Sequence, residues 1–300
     1  MAREFDSKLP DVGTTIFTVM SKLAADTGAI NLSQGFPSFD PPQALTDRVN
    51  WHLTHGGNQY APMPGLPSLR QVIADKTAHF QGRKLDIEAE ITVSTGATEG
   101  LFSAITALVH AGDEVIVFDP AYDSYEPAVN LAGGVTRHVP LHIDANGHDF
   151  HPDWQRVADT VNDKTRLIVL NFPHNPTGAV LTREDLDTLA DIVRNTGCYL
   201  VSDEVYEHIV FDDAPHHSLL SHDELWERSF IISSFGKTLH ATGWKLGYCA
   251  APPRLTEEFR KVHQFTTFAV STPMQHGVAD YLAEHPEWCR ELPAFYQQKR

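Results

Sequence analysis

Two spacings alternate along most of this chain. From residue 91 onward, short apolar runs (ITV, EVIVF, TRLIVLN, CYLVSDEV, SFIISSF and GWKLGYCAA, with the more polar VTRHVP among them) are separated by stretches whose apolar residues recur every three or four positions. The runs predict strands and the longer-period stretches predict amphipathic helices. Helices are expected over ATEGLFSAITALV, from about Tyr122 to Leu131, around DWQRVADTV and over TREDLDTLADIVRNTG. The last carries Thr182 as N-cap, Asp185 three residues on as a capping-box variant, and Gly197 near its end. Most strands are continuously apolar rather than alternating, as strands of a parallel sheet covered on both faces must be. The expected class is therefore α/β, with a mainly parallel central sheet flanked by helices.

Ahead of residue 91 the pattern is helical and broken by loops. Ile16, Val19, Met20 and Leu23 recur at helical spacing behind Thr14 or Thr15 as N-cap. Two further helices fit QALTDRVNWHLTH and SLRQVIADKTAHF, while NLSQGFPSFDPP and GGNQYAPMPGLP carry too many breakers for regular structure.

Composition narrows the function classes. A formal net charge of −16 argues against nucleic acid as partner, because phosphate backbones need a basic face. The chain holds 17 His but no HExxH, and His216 with His217 fall in a polar loop, so no metal site is expected. Cys198, Cys249 and Cys289 are too widely spaced for a disulfide framework and imply a reducing compartment. The first residues, MAREFDSKLP, lack an apolar signal core, and no apolar run nears the ~20 residues of a membrane span. The expectation is a cytoplasmic protein with no membrane partner.

Ligands of open α/β sheets gather beyond the carboxyl ends of the strands, so polar residues there carry the candidate chemistry. Gly96, Ala97 and Thr98 in ITVSTGATEG form a strand-to-helix turn whose bare N–H groups could hold an anion, or simply a capped turn. Asn171 and Asn175 end LIVLNFPHNPTG, with Asn175 a possible donor to a ligand oxygen, or part of an Asx-turn. Asp203 and Glu204 end an apolar strand, where a carboxylate needs a partner, and Tyr206 lies close by. Ser233, Ser234 and Lys237 follow another apolar strand, with Lys245 farther on, and such a lysine is either a surface charge or a functional amine.

Anion cradle, oxygen donor, carboxylate and amine, in that order, describe one cofactor site. The motifs NLSQGFP, QYAPMPGLPSLR, TGATEG, AYDSYEP, NFPHNPTG, SDEVYEH and SSFGKTLHATGWKLGY, with KVHQFTTF after them, make the chain similar to the fold-type-I pyridoxal-phosphate aminotransferases, closest to the methionine/kynurenine-type branch. The resemblance implies that Lys237 binds pyridoxal 5′-phosphate as a Schiff base and shuttles the proton. It implies that Asp203 pairs with the pyridinium nitrogen, that Asn175 and Tyr206 bond the phenolic oxygen, and that Tyr122 stacks on the ring. The phosphate is expected on the Gly96, Ala97 and Thr98 turn, with Ser234 and Lys245 as donors. Tyr60 is expected to reach the phosphate in the partner subunit, making the enzyme a homodimer with shared sites. Gly35 and Phe36 are the expected substrate contacts, and Phe268 enters the neighbouring site; His174 has no assigned role.

The implied reaction moves an amino group from methionine or an aromatic amino acid to a 2-oxo acid. A carbon–sulfur lyase of the same fold is the alternative, and a non-catalytic regulator is a lesser one because no basic module precedes residue 90. The resemblance does not rank methionine against glutamine, kynurenine, phenylalanine or histidine, since a methylene of difference is worth only ~1–3 kcal/mol. It divides the chain into residues 1–42, contributing to a small domain and the active-site loop, 43–285, the cofactor-binding domain, and 286–300, the start of a second domain that is expected to be truncated. The arginine that grips the substrate carboxylate in the family is expected in the missing part, since neither Arg290 nor Arg300 lies in its motif.

Overall fold

In this computed structural model, which describes residues 6–33, 35 and 37–300, seven strands form one sheet. Its members are β1 (Ile91–Ser94), β2 (Glu114–Asp119), β3 (Val135–Pro140), β6 (Thr165–Asn171), β7 (Tyr199–Asp203), β8 (Ser229–Ser234) and β9 (Gly247–Ala250), in the order β1-β9-β8-β7-β6-β2-β3. Only β9 runs against its neighbours β1 and β8. The carboxyl ends of the other six therefore share one edge of the sheet, and the amino end of β9 joins them there.

The continuously apolar strands serve two cores at once. Ile116, Ile168, Leu170, Leu200 and Ile231 face one core with Leu69 and Ile73 of α3 (Pro67–Gln81) and Leu189 of α7 (Arg183–Thr196). The intervening Val115, Val117, Leu167, Val169, Val201, Phe230 and Ile232 face a second core. There they meet Leu101 and Ile105 of α4 (Gly96–Leu108), Val129 of α5 (Tyr125–Ala132) and Phe259 of α10 (Pro253–Thr266). A strand whose side chains alternate between two dry faces has no position left for a polar residue except at its ends. The α/β expectation holds.

Around this frame lie α2 (Gln43–Thr54), α6 (Trp154–Thr160), α8 (Asp223–Trp226), α9 (Phe235–Thr238), α11 (Thr272–Glu284) and α12 (Trp288–Gln297). The Thr182–Asp185 capping box of α7 forms as expected, and Gly197 ends the helix in the left-handed region at φ 73°. Helix α1 (Ile16–Thr27) also forms, capped by Thr15, but buries no side chain.

Three local expectations need correction. The helix expected from Tyr122 begins only at Tyr125, because Tyr122 to Ser124 turn the chain into it. GWKLGYCAA pairs only over Gly247–Ala250, since Thr242–Trp244 form a 3₁₀ turn and Lys245 takes φ 52°. A small hairpin of β4 (His142–Ile143) and β5 (Phe150–His151) was not foreseen, since its residues are exposed or half-buried and carry no apolar pattern.

Beneath β8 and β9 lies a buried ion pair. Lys76 of α3 donates to Glu207 at 2.6 Å, and Ser233 also bonds Glu207. Burial alone would raise the Glu207 carboxyl, but Lys76 overrides it and holds the group down to about 2. Gly277 of α11 sets the approach of α2: a Cβ there would stand 2.4 Å from a Val49 methyl and 3.0 Å from the Val49 backbone nitrogen. Gly277→Ala should therefore destabilise the fold by about 1–3 kcal/mol, read as a lower urea midpoint with unchanged slope.

Candidate active site

Asp203 is the last residue of β7, in register with Asn171 of β6 and Ile232 of β8, and is 4% exposed. The Asn171 amide donates to its main-chain carbonyl at 3.1 Å, which ties β6 to β7 at the sheet edge. The Tyr125 hydroxyl donates to Asp203 Oδ2 at 2.8 Å, and the Val205 N–H approaches Oδ1 at 3.3 Å. Burial pushes the carboxyl up to about 6; Tyr125 and Val205 oppose the rise, Glu204 adds to it and Lys237 opposes it. Tyr125 is a site residue that sequence reasoning missed. Its signal was a tyrosine on the inward face of a helix, where a buried hydroxyl needs an acceptor.

Lys237 lies on α9, which follows β8 without a loop. Ser234 caps this short helix by accepting the Gly236 N–H at 3.1 Å. The Lys237 ammonium stands 5.3 Å from the centre of the Tyr206 ring. Burial lowers its pKa, the Asp203 charge opposes that, and Lys245 lowers it further. The Tyr206 hydroxyl is pushed up to about 12 by burial, with Asp203 and Tyr122 contributing. Lys237, Asp203, Tyr206, Tyr122 and Lys245 thus share one electrostatic neighbourhood.

The start of α4 faces the same place. Gly96 has φ 70°, and Thr95 before it makes no side-chain cap, so the first N–H groups of the helix have no acceptor among the described residues. A Cβ at Gly96 would lie 3.3 Å from Lys245 Cε and 3.4 Å from its Nζ, so the ammonium sits against this turn. Gly247 permits it: a Cβ there would come within 2.9 Å of the Gly96 carbonyl carbon and 3.0 Å of the Ala97 nitrogen. Bare N–H groups, a helix start and a cation make an anion cradle. Tyr122 flanks it; burial raises its hydroxyl pKa and the neighbouring Thr98 side chain opposes the rise. Its ring meets that of Tyr125 edge-on at 5.6 Å.

The two asparagines take different parts. Asn171 is buried and structural, and its Oδ1 accepts the Asn175 N–H at 3.0 Å. That bond holds the Asn175 backbone and leaves its half-buried side-chain amide without a hydrogen bond among the described residues. His174, buried beside it, braces the loop through Thr177 at 2.9 Å. Burial lowers it to about 4, with the Pro120 backbone opposing, so it is neutral near pH 7.

Three expected contacts stand apart from this cluster. Tyr60 and Phe268 meet edge-on at 5.5 Å but are 84% and 50% exposed. Gly35 is exposed with no atom within 4 Å of a Cβ position, and Phe36 lies outside the described residues.

Comparison with known proteins identifies the family. The profile of the aminotransferase class I and II family matches residues 27–300. The chain is 51% identical to the methionine aminotransferase of Escherichia coli over 294 residues, which span 98% of this chain and 75% of that one. It is 38% identical to the kynurenine–oxoglutarate transaminase of Dictyostelium discoideum, over 96% of this chain and 70% of the relative. A solved methionine aminotransferase from E. coli superimposes with a TM-score of 0.94 at 50% identity, covering all of this chain and 77% of that one. The N-succinyldiaminopimelate aminotransferase of Mycobacterium tuberculosis superimposes equally well at 38% identity, over 99% of this chain and 77% of the other. The chain belongs to the class I and II aminotransferases, enzymes that in general use pyridoxal phosphate to carry an amino group from an amino acid to a 2-oxo acid.

Proposed function

We propose that this aminotransferase binds pyridoxal 5′-phosphate between Lys237 and the start of α4 and takes methionine or an aromatic amino acid as donor. The observation that carries the reading is a half-buried lysine of lowered pKa within the field of a buried carboxylate, with an anion cradle on the same sheet edge. Bound there, the cofactor supplies an electron sink that lets the donor's Cα release a proton.

The residues divide the work. Lys237 would hold the cofactor through its amine and would carry the Cα proton; burial favours its neutral form, as a nucleophile and base requires. Asp203 would hold the ring nitrogen in its protonated form, with the Tyr125 hydroxyl and the Val205 N–H fixing the carboxylate. The Tyr206 hydroxyl, with a pKa pushed up to about 12, stays protonated and can donate to the phenolic oxygen beside Asn175. Tyr122 would lie against the ring. The Gly96, Ala97 and Thr98 turn, Ser234 and Lys245 take the phosphate. Gly35 and Phe36 are assigned to the substrate on the family resemblance alone. The donor class rests on the 51% identity to a methionine aminotransferase.

Tyr60 and Phe268 belong to the shared edge of a homodimer in this reading, with Tyr60 completing the partner's phosphate site. Their exposure and edge-on contact support it, because an apolar pair of this size displayed on a surface favours a partner. Residues 43–285 form the cofactor domain, with 1–42 and 286–300 belonging to a second one; the uncovered apolar face of α1 supports this division. No helix among the described residues is long and apolar enough to cross a membrane.

Lys237→Ala should bind the cofactor without the visible band of the lysine-bound form and lose at least about 10²–10⁴-fold in methionine transamination; a variant that retains both band and turnover refutes the assignment. Cofactor affinity should weaken as pH falls through about 6, because protonated Asp203 cannot hold a charged ring nitrogen. Tyr125→Phe removes a bond that opposes protonation, so the same midpoint should move to higher pH in a titration followed by absorbance. Light scattering should show a dimer, and fully active monomers would overturn the shared-site proposal.

A further inference from the structure

The anion cradle contains its own competitor. Glu99 is the acidic residue in the first turn of α4, three positions after Gly96. A carboxylate there is attracted to the same bare N–H groups and positive helix end that a phosphate would use. If it turned toward them, it would occupy donors the ligand needs and repel its charge.

The structure holds Glu99 elsewhere. Its Oε2 accepts the N–H of Thr95, ahead of the cradle, at 3.1 Å. Its Oε1 accepts from the Ser103 hydroxyl at 2.7 Å and from His263 Nδ1 at 2.9 Å. His263 is wholly buried on α10, lies nearly parallel to the Phe259 ring at 5.8 Å, and leaves Nε2 without a partner among the described residues. An imidazole sealed in apolar surroundings with one nitrogen unsatisfied costs the fold free energy, so its single bond to Glu99 is the contact to explain. The His263 carbonyl also accepts the N–H groups of Thr267 and Phe268, at 3.0 and 3.1 Å.

We propose that His263 is a positioning residue for the phosphate end of the cofactor: it restrains the Glu99 carboxylate so that the N–H groups of Gly96, Ala97 and Thr98 remain open to an anion. The proposal rests on the cofactor reading above and adds a residue that does not touch the cofactor. It makes a distinction that a general loss of packing does not make. A restrained carboxylate at the cradle matters to the part of the ligand that would sit there, the phosphate. Binding of pyridoxal, which lacks the phosphate, should therefore be indifferent to His263.

The test titrates the cofactor-free chain with pyridoxal 5′-phosphate and, separately, with pyridoxal, following the absorbance of the lysine-bound form. The proteins are wild type, His263→Gln, Glu99→Gln and the double variant. His263→Gln should lose about tenfold in affinity for the phosphate ester and less than twofold for pyridoxal. Glu99→Gln, which removes the competing charge, should bind the ester at least as well as wild type, and the double variant should recover most of the loss. Equal losses for both ligands, or no recovery in the double variant, would show that His263 only fills space and overturn the proposal. Wild type that forms no lysine-bound species with either ligand overturns the Lys237 reading as well, and so the two failures are told apart. Should His263→Gln fail to fold, Glu99→Gln still decides: a selective loss of affinity for the ester in that variant contradicts the proposed competition.

Discussion

A carboxylate taken out of water has to be held by its surroundings, and much of the site follows from that requirement at Asp203. Its neighbours divide it into a bonded half and an available half. Tyr125 occupies Oδ2, while Oδ1 has only a long backbone contact. Burial without a full set of partners leaves the group halfway to protonation near pH 6, poised for a cationic ligand to complete it. Lys237 feels both neighbours: Asp203 opposes the effect of burial on it, and Lys245 reinforces that effect from the side of the cradle. A site with two amines, one carboxylate and bare helix N–H groups is complementary to a molecule with an aldehyde, a basic ring nitrogen and a phosphate.

The sheet was legible because its strands are dry on both faces, which leaves a plain pattern in sequence. The polar residues that end β7 and β8 stand out against that background, and so Asp203 and Lys237 could be found without coordinates. Legibility fell where spacing carries no such contrast. Lys245 reaches the cradle because β9 reverses direction and Lys245 itself adopts a left-handed backbone, neither of which apolar spacing encodes. Tyr125 looked like an ordinary helix residue until the helix start was placed three residues later than expected.

Glu99 and His263 illustrate a second limit. They are separated by more than 160 positions and meet only when α10 packs on α4. Each alone reads as unremarkable, an acid at a helix start and a histidine on an amphipathic helix. Asn171 and Asn175 show the converse. Both were visible at a strand end, yet only the register of β6 on β7 separates the one that ties strands from the one whose amide is free.

The reversal of β9 has a consequence for how the molecule can vary. Lys237 and Lys245 sit on one connection between hydrogen-bonded neighbours, with Ser234 paired to Gly247 at its base. Loops at the other strand ends each carry a piece of the site and can lengthen independently. This one cannot: an inserted residue would displace one amine relative to the other, and with them the distance between the reacting carbon and the charged end of any ligand spanning the pair. On the cofactor placement proposed above, the number of residues in the β8–β9 connection sets how long a ligand the two amines can hold between them.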